Sequence, residues 1–235
     1  MHRLVQAVLK DEMDQHSQQQ WAERSVRIAD HLFPFSTADT WHLCQRYLPH
    51  AILCADYIEW WKMSSSESAG LLHNTASYLD YRAQYREAEL LYQGALMIAE
   101  RVLGPDHPNT ANCLNSLAIL YRNWGKYKQA EPLYQRALAI DEKVYGSDHP
   151  NVASDLNNLA ILYRNQGKYE EAEPLYLRAL AIREKVLGTD HPDTVRVLSN
   201  YAKLLKKMGR EGEAAELEAR VEEIRGKLLG SEEEK

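Results

Sequence analysis

The sequence predicts an all-α protein built from stacked helix pairs, and three observations carry that prediction. A five-residue turn, Gly104-Pro105-Asp106-His107-Pro108, returns as Gly146-Ser147-Asp148-His149-Pro150 and again as Gly188-Thr189-Asp190-His191-Pro192, each time 42 residues further on. Between the turns whole phrases recur: Leu117-Ala118-Ile119-Leu120-Tyr121-Arg122-Asn123 becomes Leu159-Ala160-Ile161-Leu162-Tyr163-Arg164-Asn165, and Ala130-Glu131-Pro132-Leu133-Tyr134 becomes Ala172-Glu173-Pro174-Leu175-Tyr176. Inside each period the apolar residues fall at helical spacing, with glycine and proline where helices stop and start. A fixed period of this length marks units that bury their apolar faces on one another.

Each unit reads as two helices. In the second unit Pro108 suits a first helical turn, where its missing N–H costs nothing. His107, preceding a proline, is pushed out of helical geometry and sets the boundary. Leu114, Leu117, Ala118 and Tyr121 form one apolar stripe, and Gly125 is the expected left-handed cap. The partner helix runs from about Tyr127 to Val144 with Ala130, Leu133, Tyr134, Ala137 and Leu138 on its apolar face. Ala118, Ala130 and Ala137 are expected where helix backbones approach closely, and Tyr121 and Tyr134 fill the neighbouring gaps.

Sliding the pattern by 42 residues finds a degraded first copy (Tyr85, Ala88, Tyr92, Ala95) and a degraded last copy (Ala202, Leu205, Gly209, Ala214). In the last copy Glu218 stands where the tyrosine should be, so that face is expected to be exposed. We therefore divide residues 67–230 into four repeats, 67–104, 105–146, 147–188 and 189–230. Residues 231–235 are expected to form a disordered tail. Residues 1–66 do not follow the repeat and read as a helical adaptor or N-terminal cap. Its stripes are Leu4, Val5, Val8 and Leu9, then Trp21, Ala22, Val26, Ile28, Ala29 and Leu32, stopped by Pro34. A third helix from Asp39 or Thr40 through Leu43, Cys44, Leu48, Ile52 and Tyr57 is expected to bend at Pro49. Ser64 to Ser68 reads as a linker or cap. Trp60 and Trp61 are expected to pack under the first repeat.

Composition excludes several functions. A formal net charge of −6 argues against a general nucleic-acid binder. No apolar run approaches the ~20 residues of a membrane span, and no secretory signal opens the chain, which makes the cytoplasm the expected location. Cys44, Cys54 and Cys113 are scattered and form no CxxC pair, as expected of reduced, buried or half-buried thiols. No phosphate-binding loop, dinucleotide fingerprint, nucleophile elbow or His-Glu-x-x-His occurs, so no cofactor, no metal and no catalysis are expected. His107, His149 and His191 sit one repeat apart, each at its own turn. They cannot converge on one ion, and ordering the turn is the better account of them.

Residues 70–225 resemble tetratricopeptide repeats, and the 42-residue period with its Gly-x-Asp-His-Pro turn resembles the kinesin light chain subclass. The resemblance implies a right-handed α-α superhelix in which the first helix of each pair lines the concave side. In the N-terminal third, His2-Arg3-Leu4-Val5-Gln6-Ala7-Val8, Trp21-Ala22-Glu23-Arg24, Thr40-Trp41 and Leu48-Pro49-His50-Ala51 resemble the segment that joins the ATPase module to the repeats in bacterial NB-ARC/STAND signalling ATPases. That resemblance implies a part of a larger signalling protein whose repeats act as a sensor. A helical cap belonging only to the array is the alternative.

One face of each first helix points away from the packing stripe. It carries Asn115, Ile119, Arg122 and Asn123 in the second repeat, Asn157, Ile161, Arg164 and Asn165 in the third, and Ser199, Lys203, Lys206 and Lys207 in the fourth; in the first it is His73, Ser77, Asp80 and Tyr81. By the resemblance this face lines the concave groove. Asparagine amides bond both donors and acceptors of an extended backbone, and arginine forks suit carboxylates. The expected partner is a protein or peptide, acidic or carboxylate-ended, with self-association as a further expectation. Polar residues that merely solvate an exposed helix would give the same pattern. Two functional alternatives stand beside the interaction module: an autoinhibitory or self-associating regulatory arm of a STAND-type ATPase, and an enzyme, for which no motif speaks.

Overall fold

The computed structural model describes residues 13–34, 37 and 39–233, with side chains up to residue 227. The Leu4, Val5, Val8 and Leu9 stripe and the last two tail residues lie outside them. Among the described residues there are ten helices and no strand. The chain divides into two compact units, Met1–Leu120 and Tyr121–Lys235, and each is described by itself.

The first unit holds α1 (Gln15–Leu32), α2 (Trp41–Trp60), α3 (Ser66–Tyr81), α4 (Tyr85–Val102) and most of α5 (Pro108–Asn123). α1 starts where the Asp14 carboxylate accepts the Ser17 N–H at 2.7 Å, a side-chain cap for an orphan amide. It ends as Phe33 turns extended ahead of Pro34. α2 carries Pro49 in its interior. α3 is capped by Ser65, which accepts the Ser68 N–H at 3.2 Å. The core of this unit joins Val26, Cys44, Cys54 and Ile58 to Leu71 and Ile98, with Phe33 edge-on to Tyr78. Gly70 faces the Asp30 carboxylate of α1: a Cβ there would stand 2.8 Å from Asp30 Oδ1, the end of a side chain that can turn aside. Cys44 and Cys54 are buried, Cys113 is half-buried, and all three are free. One expectation fails. Trp61 packs against the core, but Trp60 is 78% exposed, because it sits on the face of α2 opposite Cys44, Ala51 and Ile58.

The second unit holds the end of α5, then α6 (Tyr127–Tyr145), α7 (Pro150–Gln166), α8 (Tyr169–Leu187), α9 (Pro192–Lys207) and α10 (Glu211–Glu233). Alanines mark the tight packing: Ala130, Ala153, Ala160, Ala172, Ala179 and Ala214 are wholly buried, as are Tyr134 and Tyr176. Gly167 ends α7 in the left-handed conformation, φ +79°, while the Lys168 N–H returns to the Tyr163 carbonyl at 2.9 Å. The turn histidines act as helix N-caps. His149 Nδ1 accepts the Asn151 N–H and His191 Nδ1 accepts the Asp193 N–H, both at 3.1 Å; in the first unit His107 does the same for Asn109. These bonds fix the turns as the sequence reading expected, with a ring nitrogen doing what a Ser or Asp oxygen does elsewhere. Polar ties reach across pairs: Glu131 meets Lys168 and the Tyr163 hydroxyl, and Glu173 meets Arg210 and the Tyr201 hydroxyl. Arg183, nearly buried on α8, bonds Ser154 of α7 and Asp193 of α9. α10 stays helical to Glu233, into the stretch expected as a tail.

Candidate functional site

The sequence-predicted face falls into both units. Asn115 and Ile119 belong to the first and are half-buried. The other members belong to the second, where α5 contributes Arg122 and Asn123, α7 contributes Asn157, Ile161, Arg164 and Asn165, and α9 contributes Ser199, Lys203, Lys206 and Lys207.

These side chains are not alike. Asn123, Asn165, Lys203, Lys206 and Lys207 are exposed, and Ile161, Arg122, Arg164 and Ser199 are half-buried. Asn157 is 5% exposed, and its Oδ1 accepts from Asn200 Nδ2 at 3.1 Å. Arg164 Nη1 donates to the Asn200 carbonyl at 3.2 Å. Asn200, on α9, is therefore the residue that organises the α7 part of the face, and the sequence reading missed it. The signal was there in weak form: Asn157 and Asn200 are 43 residues apart, one more than the period, so the contact runs between neighbouring columns of the repeat and not within one. A buried amide with a partner is a positioned group, unlike a solvated surface asparagine.

The Tyr176 phenol of α8 lies in the core that α7, α8 and α9 share. It is wholly buried, its hydroxyl has no hydrogen-bond partner among the described residues, and its ring stacks on Tyr201 at 6.0 Å between centroids. Burial pushes its pKa up to about 12, and Arg164 and Arg122 both pull it back down. Further along, Lys206 is paired with Glu218 at 2.7 Å, on the exposed face that the glutamate in the tyrosine column foretold. That pair neutralises Lys206, while Lys203 and Lys207 have no ion pair among the described residues. The face can therefore offer two arginines, two lysines and an ordered amide pair. Among the described residues no group of three or more His, Cys, Asp or Glu side chains is arranged to hold a metal ion, and no helix is long and apolar enough to cross a membrane.

Comparison with known proteins agrees with this architecture. Residues 22–187 match the family described as the Nephrocystin-3 TPR domain, and residues 154–227 match the family described as tetratricopeptide repeat. A nucleotide-binding leucine-rich repeat (NLR)-like protein of Hyaloscypha variabilis is 33% identical over 116 residues, which is 49% of this chain and 12% of that protein; the chain matches a small part of a much longer relative. Among solved structures, the nearly identical TPR-like repeats of a putative kinesin light chain from Podosopora anserina superpose with a TM-score of 0.66 at 23% identity, covering 91% of this chain and 95% of that one. YrrB, a TPR protein with an unusual peptide-binding site, superposes at 0.53 with 15% identity, covering 86% and 85%. At these identities the likeness to solved structures speaks for the fold alone.

Proposed function

We propose that this chain, which belongs to the tetratricopeptide-repeat family, is a non-catalytic protein-interaction module of the cytoplasm. Within residues 121–235 it takes an extended peptide with acidic side chains or a free C-terminal carboxylate. The observation that carries this reading is the stacking of cations on the first helices of residues 121–235, with Arg122 on α5 and Arg164 on α7 one repeat apart and Lys203 and Lys207 exposed on α9. Two half-buried guanidiniums attract an anion more strongly than the same groups fully in water. The chain is acidic overall, −6, yet this face gathers cations, and opposed charge of that kind selects for anionic partners. The Asn157–Asn200 pair holds one amide in place for the backbone of the guest. YrrB, whose fold this chain shares, has a peptide-binding site.

The test is fluorescence anisotropy with a panel of acidic peptides, each made with a free and an amidated C-terminus, and with neutral peptides as controls. The double change Arg122→Ala with Arg164→Ala is expected to weaken acidic binding about tenfold or more, since a charged hydrogen bond nets about 1.5–3 kcal/mol, and to leave neutral peptides unaffected. Equal binding by parent and variant, with equal melting curves, removes the arginine face from the reading.

A second reading rests on the 33% identity to an NLR-like protein: the chain is the regulatory arm of a larger nucleotide-binding signalling protein, docking on that protein's own nucleotide-binding part. Titration with that part, produced separately, decides between the two, because an arm of this kind binds it and an independent adaptor does not.

A further inference from the structure

The surfaces of α10 and of the α1–α2 pair differ. α10 is polar, with Glu211, Glu218, Glu222 and Glu223 exposed. α1 and α2 expose apolar side chains. On α1, Trp21, Ile28 and Leu32 share one helical face (i, i+7, i+11) and are 59, 60 and 45% exposed; on α2, Leu53 and Trp60 (i, i+7) are 44 and 78% exposed. Between them runs an apolar groove of about 390 Å³ with Ile28, Leu32, Leu53 and Tyr57 along its walls.

We infer that a second copy of this chain docks on this α1–α2 face, two-fold and face to face. Three features select that occupant. The first is area. Taking about 150–250 Å² for a large side chain fully in contact, the five exposed residues offer on the order of 600 Å² of apolar surface. A standard interface buries roughly 800 Å² per partner, a little over half of it apolar, so this face suffices for a stable dimer and stands at the upper limit of what a monomer leaves open. The second is shape. Trp60, one turn beyond the groove, is a protruding indole, and a groove of about 390 Å³ exceeds the roughly 150 Å³ that already takes a benzene ring. A two-fold axis gives each copy both knob and socket, which is the condition for an isologous contact. The third is charge. Exposed Arg24, over the Trp21 ring, flanks the apolar stripe on α1, and exposed Asp56 flanks it on α2. Setting α1 of one copy against α2 of the other brings these opposite charges together twice. A two-fold contact uses the same face on both copies, so it closes at two.

Sedimentation equilibrium of the full chain tests this. A mass of twice 27.0 kDa is expected at tens of micromolar; 27.0 kDa at every concentration overturns the inference. Trp60→Glu and Ile28→Glu are each expected to give monomers with unchanged far-UV circular dichroism, and a persisting dimer in both overturns it. Arg24→Glu and Asp56→Arg are each expected to raise the dissociation constant about tenfold, and the two together to restore it. Restoration separates a charge contact between copies from damage to the fold; loss in both singles without restoration overturns the two-fold arrangement. Leu4→Glu with Val8→Glu is expected to leave the dimer intact. A monomeric parent that dimerises only with those two changes assigns the face to the chain's own first residues and overturns the inference.

Discussion

The α7–α8 pair and the α1–α2 pair are built by different rules. α7 and α8 are joined by two residues, and they put alanine at each close approach, Ala153, Ala160, Ala172 and Ala179 all fully buried with Tyr176 filling the gap. Val152, Leu156, Leu159, Leu162 and Ile182 are buried with them, and Leu177 and Val186 are the large apolar side chains of that pair left in solvent. α1 and α2 bury one stripe of mixed size, Ala22, Val26, Cys44, Ala51, Cys54 and Ile58, and leave another in solvent. A repeated pair is constrained on both sides by neighbours of nearly its own sequence, so its small and large positions are fixed. A pair outside the repeat is constrained only where it meets α3 and α4.

The largest effect that can break this comparison is a deleted aromatic. Tyr176→Ala in α8 is expected to cost about 3–5 kcal/mol, as large-to-small changes in a close-packed core do, whereas Trp60→Ala in α2 is expected to stay within ~0.5 kcal/mol at concentrations too low for association. Urea titrations at sub-micromolar protein give both numbers. Comparable losses in the two would mean that Trp60 is covered in the monomer.

Overfilling is the next test. Ala130→Leu pushes methylenes into a fully buried position of α6 and is expected to cost about 1–3 kcal/mol. Its exposed neighbour Gln129→Leu, on the same helix, is expected to change little. A melting temperature for Ala130→Leu equal to that of the parent would show that the position can relax and that the alanine is not a packing requirement.

The same contrast explains how far the sequence could be read. The alanine and tyrosine columns, the Gly125 cap, at φ +77°, and the exposed glutamate at position 218 follow from period and from burial cost, and they are where the structure puts them. Trp60 was misplaced because no second copy of that segment exists to show which stripe faces inward; α2 carries apolar residues on two faces, and periodicity alone does not rank them. Asn157 and Arg164 were read as one surface pattern, yet Asn157 is buried against Asn200. Columns of a repeat show which residues are equivalent, and a contact between adjacent columns leaves no mark in them. Arg183 and Asp141 show the same limit from the other side: both occupy one column of the second helices, both are nearly buried, and nothing in a column that holds an acid in one copy and a base in the next announces an interior position.

A smaller effect is expected at the turns. Gly167 closes α7 at φ +79° with open space where a Cβ would go, so Gly167→Ala pays only the backbone strain of a left-handed residue, about 1 kcal/mol. Phe33→Ala at the corresponding end of α1 is expected to cost several times more. Phe33 is buried and edge-on to Tyr78, and α1 ends in an extended residue that needs no glycine. Equal costs would mean that the two helices are terminated by the same device.

The smallest effect separates the two regions by sign. Asp141 on α6 is 2% exposed, and burial raises its pKa above 3.8 more than His149 and the hydrogen bonds from Asn151 and Asp155 lower it. Asp14, the cap of α1, is solvent-exposed, and the Ser17 backbone N–H holds its carboxyl below 3.8. For Asp141 the folded-state pKa lies above the unfolded one, so its contribution to stability is complete below pH 3.8 and is lost as pH rises through the folded value. For Asp14 the order is reversed: its contribution is present above pH 3.8 and is lost as pH falls through the lowered value. Exposed carboxylates with their own partners, such as Asp148 beside Lys185, titrate equally in parent and variants and cancel in the differences. Denaturation between pH 3 and 7 should therefore show Asp141→Asn gaining on the parent as pH rises, and Asp14→Asn losing on it over the same range. Slopes of the same sign would mean that the interior beside α6 admits enough water to solvate the Asp141 carboxylate, and that the close packing assigned to the repeats does not extend to that position.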